Sequence, residues 1–208
     1  RPQIEGLPVF GRAAKLLGIL QAAQHVWRAA TGRDMVAVCR NHPFFAVDDW
    51  FIGSTGMPAG IPDATRALTV KFDYNDLASV ERLFDEHPDR IAAIVLEAEK
   101  YSPPASGFFV GLRELCDRHG ALFILDEMIT GFRWDLAGAH ARYGIEPDLS
   151  TFGKALANGF SVSALAGKRE FMRLGGFDHD LERVFLLSTT HGAETHGLAA
   201  AIATMQVY

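Results

Sequence analysis

The stretch Gly120-Ala121-Leu122-Phe123-Ile124-Leu125-Asp126-Glu127 decides the fold. Gly120 closes the helical pattern of Phe108 to His119, an unbroken apolar run follows, and two carboxylates end it. A strand apolar on both faces belongs in a sheet covered by helices on both sides, since a solvated face would alternate with polar residues. The same grammar repeats on either side. Toward the N-terminus, Ile91 to Glu97 reads as a strand. Before it, Asn75 or Asp76 can cap a helix carrying Leu77, Val80, Leu83 and Phe84. Ala67 to Phe72 and Met35 to Cys39 are further strands. A helix from about Gly11 to Ala30 puts Leu16, Leu17, Leu20, Val26 and Trp27 on one side and stops at Gly32. From Asn41 to Pro62, Gly and Pro recur and an irregular stretch is expected.

Toward the C-terminus, Asp148 to Phe152 and Val162 to Ala166 continue the strands, and Lys168 to Leu174 is a short helix. Val184 to Ser188 leads into an apolar, alanine-rich terminal helix from near Ala193. Strand and helix alternate, which predicts an α/β fold: a three-layer α/β/α sandwich on a mostly parallel sheet. Neither repeat nor linker divides the chain.

The 208 residues are 49% hydrophobic and 22% charged, as in an ordinary globular domain rather than a disordered or fibrous chain. Twenty Lys plus Arg against 25 Asp plus Glu, for a net charge of -5 without a basic run, argue against nucleic acid and anionic membranes as partners. The apolar runs fall far short of the roughly 20 residues that a bilayer span needs. Cys39 and Cys116 stand apart without a pairing pattern, and no glycosylation sequon occurs, so a cytoplasmic location is expected. Arg1 and the apolar segment at Tyr208 read as the ends of a fragment.

Ligands of open α/β sheets collect at the carboxyl ends of strands, so the polar residues that follow apolar runs are the candidates for chemistry. Three stand out: Glu97, Asp126 and Lys154. A carboxylate behind an apolar run is costly to bury unless something positive meets it; capping the next turn or pairing with an arginine is the plain alternative. Lys154 lies in the small-residue loop Gly153-Lys154-Ala155-Leu156-Ala157-Asn158-Gly159. In a dry pocket a lysine becomes a nucleophile able to form a Schiff base; on a surface it is merely solvated. A carboxylate facing it would suit the ring nitrogen of pyridoxal phosphate.

Leu125-Asp126-Glu127-Met128-Ile129-Thr130-Gly131-Phe132-Arg133 and Gly144-Ile145-Glu146-Pro147-Asp148-Leu149-Ser150-Thr151-Phe152-Gly153-Lys154 together resemble the signature of class III aminotransferases, pyridoxal-phosphate enzymes of fold type I. The likeness is strongest to the glutamate-1-semialdehyde aminomutase branch. It extends from about Thr31 to the C-terminus through Asp49-Trp50-Phe51-Ile52-Gly53 and Thr189-Thr190-His191-Gly192.

The resemblance implies that Lys154 holds the cofactor as a Schiff base and shuttles a proton, while Asp126 pairs with the pyridinium nitrogen. Thr190 matches the position from which a neighbouring subunit meets the phosphate, implying a homodimer with a shared site. Glu97 matches a carboxylate near the substrate, an amino acid or amino-aldehyde, although Ala98 stands where proline commonly follows. Met128 packs on the ring face or serves as plain core. By the same resemblance, residues 1–208 are the pyridoxal-phosphate-binding large domain. The small domain, made from the two ends of a chain about twice as long, would be missing.

Two departures accompany the match. Phe10-Gly11-Arg12-Ala13-Ala14-Lys15 lacks the hydroxyls of the family's phosphate-binding turn, leaving Arg12 or Lys15 to supply charge. The ring-stacking aromatic is replaced within Asn41-His42-Pro43-Phe44-Phe45, leaving His42 or Phe44. A truncated or diverged non-catalytic module for binding or dimerisation is therefore the rival reading. Gly6 to Gly11 has P-loop glycine spacing, but Arg12-Ala13 follows it and rules that motif out. His191, Glu194 and His196 do not match the zinc-binding His-Glu-x-x-His helix, and no metal is expected.

Overall fold

The computed structural model describes residues 9–10, 15–43, 48–176, 180, 182, 184 and 194–208. Its strands are Val9–Phe10 (β1), Met35–Cys39 (β2), Thr69–Phe72 (β3), Ile91–Glu97 (β4), Leu122–Asp126 (β5), Leu149–Phe152 (β6) and Ser163–Gly167 (β7). They form one sheet in the order β1-β7-β6-β5-β4-β2-β3. From β6 to β3 every pairing is parallel, whereas β7 lies antiparallel to both β6 and β1. The helices are Lys15–Thr31 (α1), Asp49–Ile52 (α2), Asp63–Arg66 (α3), Leu77–Glu86 (α4), Phe108–His119 (α5), Ala139–Tyr143 (α6), Arg169–Met172 (α7) and Thr195–Val207 (α8).

Alternation along the buried strands sends side chains into two cores. Met35, Ala37 and Cys39 of β2, Ile94 and Leu96 of β4, and Phe123 and Leu125 of β5 meet Leu83 and Phe84 of α4 and Leu112 and Leu115 of α5. Val36 and Val38, Ala93 and Val95, and Leu122 and Ile124 face the other way, onto Leu20, Ala23, Val26 and Trp27 of α1. The sheet is thus the middle of three layers, as the unbroken apolar runs predict. Each large side chain removed from water contributes roughly 1.5–3 kcal/mol, so these two faces dominate the stability.

Arg33 ties the amino-terminal edge together. Its guanidinium donates to the carbonyls of Ile91 at 3.1 Å and His119 at 2.7 Å, joining the start of β4 to the end of α5. At Gly120 the backbone turns left-handed (φ 63°) to close α5, a conformation that favours glycine. Cys39 and Cys116 are both buried and unpaired, and burial pushes the Cys116 thiol up to about 12.

The expected elements recur with local differences. Ala67 belongs to the end of α3, its N–H donating to Asp63, so β3 starts at Thr69. The expected Lys168–Leu174 helix is the short α7 followed by a tighter turn at Arg173–Gly175. The irregular stretch contains α2 and α3. Residues 185–188 of the Val184 to Ser188 stretch, residues 11–14 before α1, and the side chains of Leu16 and Leu17 lie outside the described residues. Among the described residues no helix is long and apolar enough to cross a membrane.

Candidate active site at the carboxyl ends of the strands

Glu97 is the last residue of β4 and Asp126 the last of β5, and they are register partners on neighbouring parallel strands. Both continue the alternation of Ala93 and Val95, and of Leu122 and Ile124, so both side chains leave the sheet on the α1 face. Lys154 follows β6 on the next strand over, and His42 follows β2 beyond β4. Four adjacent strands therefore each deliver one expected residue to the same edge.

Asp126 is buried. Its Oδ1 accepts two hydrogen bonds, from the Met128 N–H at 2.8 Å and from Thr151 Oγ1 at 3.1 Å. Thr151 is its register partner on β6, which explains why the hydroxyl arrives there. The carboxylate caps its own turn, as the plain reading of the sequence expects, and does so with one oxygen. Burial pushes its pKa up to about 6, with the Glu97 charge adding to the rise and Met128, Lys154 and Thr151 opposing it. A buried carboxyl in that state gains from a cation placed opposite it.

Lys154 is exposed and holds a left-handed backbone, φ 44°. For a residue with a β-carbon this costs about 1–2 kcal/mol, and such strain tends to collect at functional positions. A β-carbon at the neighbouring Gly153 would lie 2.2 Å from Met128 Cε, so a side chain there would push the end of Met128 aside. Met128 is buried against that glycine.

Glu97 is buried and ion-paired with Lys100, three residues on, at 2.7 Å. Its other oxygen, Oε2, is buried with no partner among the described residues, as is Nδ1 of His42. His42 is buried with its ring 4.4 Å from Tyr74. Burial pulls its imidazole pKa down; the Glu97 charge opposes this and the Lys100 charge adds to it. The ring-stacking substitute expected at residue 42 thus sits beside Glu97 and Tyr74, whereas Phe44 and Thr190 lie outside the described residues. So does His191; Glu194 and His196 form an ion pair at 3.3 Å.

Three contributors escaped the sequence reading. Thr151 is one, Lys100 another, and both become legible once a strand register or an i,i+3 spacing is applied to the carboxylates. The third is Glu127, which is fully buried. Its carboxylate accepts from Thr130 Oγ1, from the N–H groups of Ala139 and His140 (both 2.9 Å), and faces His140 Nδ1 at 3.1 Å. Burial alone would raise its pKa, but these hydrogen bonds outweigh it and hold the carboxyl below the usual range. Glu127 thereby ties the turn after Asp126 to the start of α6, and its own N–H donates to Thr151 at 2.9 Å.

Comparison with known proteins accounts for this arrangement. Residues 32–208 match the family model for class-III aminotransferases. A glutamate-1-semialdehyde 2,1-aminomutase of Nitratidesulfovibrio vulgaris is 43% identical over 171 residues, covering 79% of this chain and 40% of that protein. Among solved structures, an omega-transaminase from Sphaerobacter thermophilus superposes with a TM-score of 0.86 at 25% identity, over 99% of this chain and 50% of its own. The FumI protein of Sphingopyxis in its pyridoxal-phosphate internal aldimine form gives a TM-score of 0.80 at 27% identity, over 98% and 47%. The chain spans 40% of the length of that aminomutase and about half of each solved chain. With the match running through both quoted signatures and the fold agreeing over nearly all its length, this chain belongs to the class-III aminotransferase family.

Proposed function

We propose that the full-length protein is a pyridoxal-phosphate-dependent enzyme that moves an amino group, either between substrates or within one amino-aldehyde in the manner of the aminomutase branch. The observation that carries this is the buried Asp126 at the end of β5, with both donors on one oxygen, beside the strand whose loop holds Lys154. The residues present fit the cofactor. A protonated pyridine nitrogen is the cation that a carboxyl raised to about 6 lacks. When bound, pyridoxal phosphate supplies an aldehyde carbon and an electron sink.

The chain's own residues divide the remaining work. Asp126 accepts the ring N–H and keeps it protonated. Lys154 Nζ would hold the cofactor and would take and return the proton of the substrate carbon that bears nitrogen. Met128 would pack on the ring face, and His42 would take the place of the stacking aromatic. Glu97 faces the amino acid or amino-aldehyde substrate, and Thr190 of a second copy meets the phosphate, so the working unit is a homodimer. Residues 1–208 are the cofactor-binding large domain, completed by segments of a longer chain, and the enzyme works in the cytoplasm. Intact Asp126 and Lys154 weigh against the non-catalytic module.

Reduction with borohydride tests the reading. The full-length protein, loaded with pyridoxal phosphate and reduced, is expected to carry the cofactor mass on the peptide containing Lys154. Lys154→Ala is expected to carry none and to lose turnover with every amino donor. A Lys154→Ala variant that still transfers amino groups overturns the assignment.

A further inference from the structure

We propose that Lys100 is a positioning residue of this site: by ion-pairing with Glu97 it offsets the charge that lies beside the buried Asp126 on the neighbouring strand, so that Asp126 is free to face a pyridinium. The proposal rests on the pyridoxal-phosphate reading above and concerns a residue outside the matched signatures.

Glu97 and Asp126 are register partners on strands that neighbour each other, both buried and both on the α1 face. Neighbouring strands are about 4.8 Å apart, and two carboxylates that close in a dry setting do not both ionise unless a cation is at hand. The groups facing the pair come from every strand end around it. Thr151 and the Met128 N–H are neutral donors to Asp126, and Lys154 acts on it from the loop after β6. His42 adjoins Glu97 from the end of β2 with its imidazole drawn toward the neutral form, and Cys39, on the opposite face of β2, has its thiol pushed up to about 11 chiefly by burial, so neither supplies positive charge.

Lys154 is committed to the cofactor carbonyl once the site is loaded. Among the described residues that leaves Lys100, whose Nζ meets Glu97 Oε1 at 2.7 Å and reaches the Pro43 carbonyl at 3.4 Å. The second contact spans from the end of β4 to the end of β2 and fixes where the ammonium sits. With the Lys100 side chain 18% exposed and that of Glu97 9%, this pair is shielded from the solvent screening that makes surface pairs weak.

The test compares full-length wild type with Lys100→Met, Lys100→Arg and the double variant Glu97→Gln/Lys100→Met. Carbon-13 NMR of aspartate carboxyls in the cofactor-free protein, assigned with Asp126→Asn, counts protons without requiring any cofactor. Lys100→Met is expected to hold the Asp126 proton to a higher pH than wild type does. Arginine, or removal of both charges, is expected to release it. Affinity for added pyridoxal phosphate is expected to fall about tenfold in Lys100→Met, the equivalent of one pKa unit, and to recover in the other two.

Should Lys100→Met fail to fold, Lys100→Gln decides: with the ammonium gone and the Glu97 charge kept, the Asp126 carboxyl must titrate higher than in wild type. An unchanged titration in either variant overturns the proposal, as does an equal loss of affinity in all three Lys100 variants, the mark of a purely structural role. If wild type never attaches cofactor at Lys154, the functional reading fails, while the carboxyl titration still judges Lys100.

Discussion

Asp126 illustrates how one side chain's surroundings set its charge. Its carboxyl titrates near 3.8 in an exposed chain and is pushed to about 6 in the fold, first by burial and then by the Glu97 charge. The folded state therefore holds the proton longer than the unfolded one, and stability falls as pH rises through that interval. Glu127 has the opposite sign, since its folded pKa lies below its ordinary value of 4.5. Its contribution is complete above 4.5 and is lost as pH falls. Between pH 4.5 and about 6 the Asp126 slope is left alone of the two. His42, held below its ordinary 6.5, gains stability as pH rises there, so urea midpoints of the cofactor-free wild type are expected to fall across that window relative to those of Asp126→Asn. A parallel decline in both proteins would assign the slope to another group.

Among the elements, the long helices and the short ones owe their existence to different things. In α4 the apolar positions Val80, Leu83 and Phe84 recur at helical spacing, and Asp76 caps the start by accepting from the Ser79 N–H at 3.1 Å. Removing that cap by Asp76→Ala is expected to lower stability by about 1 kcal/mol, read from urea unfolding, while cofactor attachment is unchanged. Helices α2, α3 and α6 span only four or five residues each. That is too short to display a 3.6-residue period, so tertiary partners hold them in place. Asp48 starts α2 by accepting from the Trp50 N–H at 3.0 Å and from Gln24 of α1 at 3.1 Å. Glu127 does the same for α6 from the far side of a loop.

At the scale of the whole molecule, Asp148 joins three layers at one buried carboxylate. It accepts from Arg113 of α5 at 2.8 Å, from the Phe123 N–H of β5 at 2.7 Å and from Lys168, just before α7, at 2.5 Å. Arg113 is largely buried, 17% exposed, whereas Lys168 is 46% exposed. Asp148→Ala leaves Arg113 its second carboxylate, Asp117 at 2.7 Å, but strips the buried Phe123 N–H of its acceptor, and is expected to cost about 1–3 kcal/mol; Lys168→Ala removes a solvent-screened partner and is expected to cost under about 1 kcal/mol. Denaturant midpoints of the two variants check the contrast, and equal losses would refute it. By itself the sequence determined the three-layer architecture and the strand positions, and it marked Asp126 and Lys154 as candidates for the chemistry. Unbroken apolar runs ending in charge are local signals, and the two quoted signatures are contiguous. Tertiary structure alone decided that Glu97 lies beside Asp126, that Thr151 shares its oxygen, that Lys100 spans to Pro43 and that Glu127 is filled from α6. Those relations join residues far apart in the chain, or depend on which strand neighbours which, and only the closed sheet sets that order.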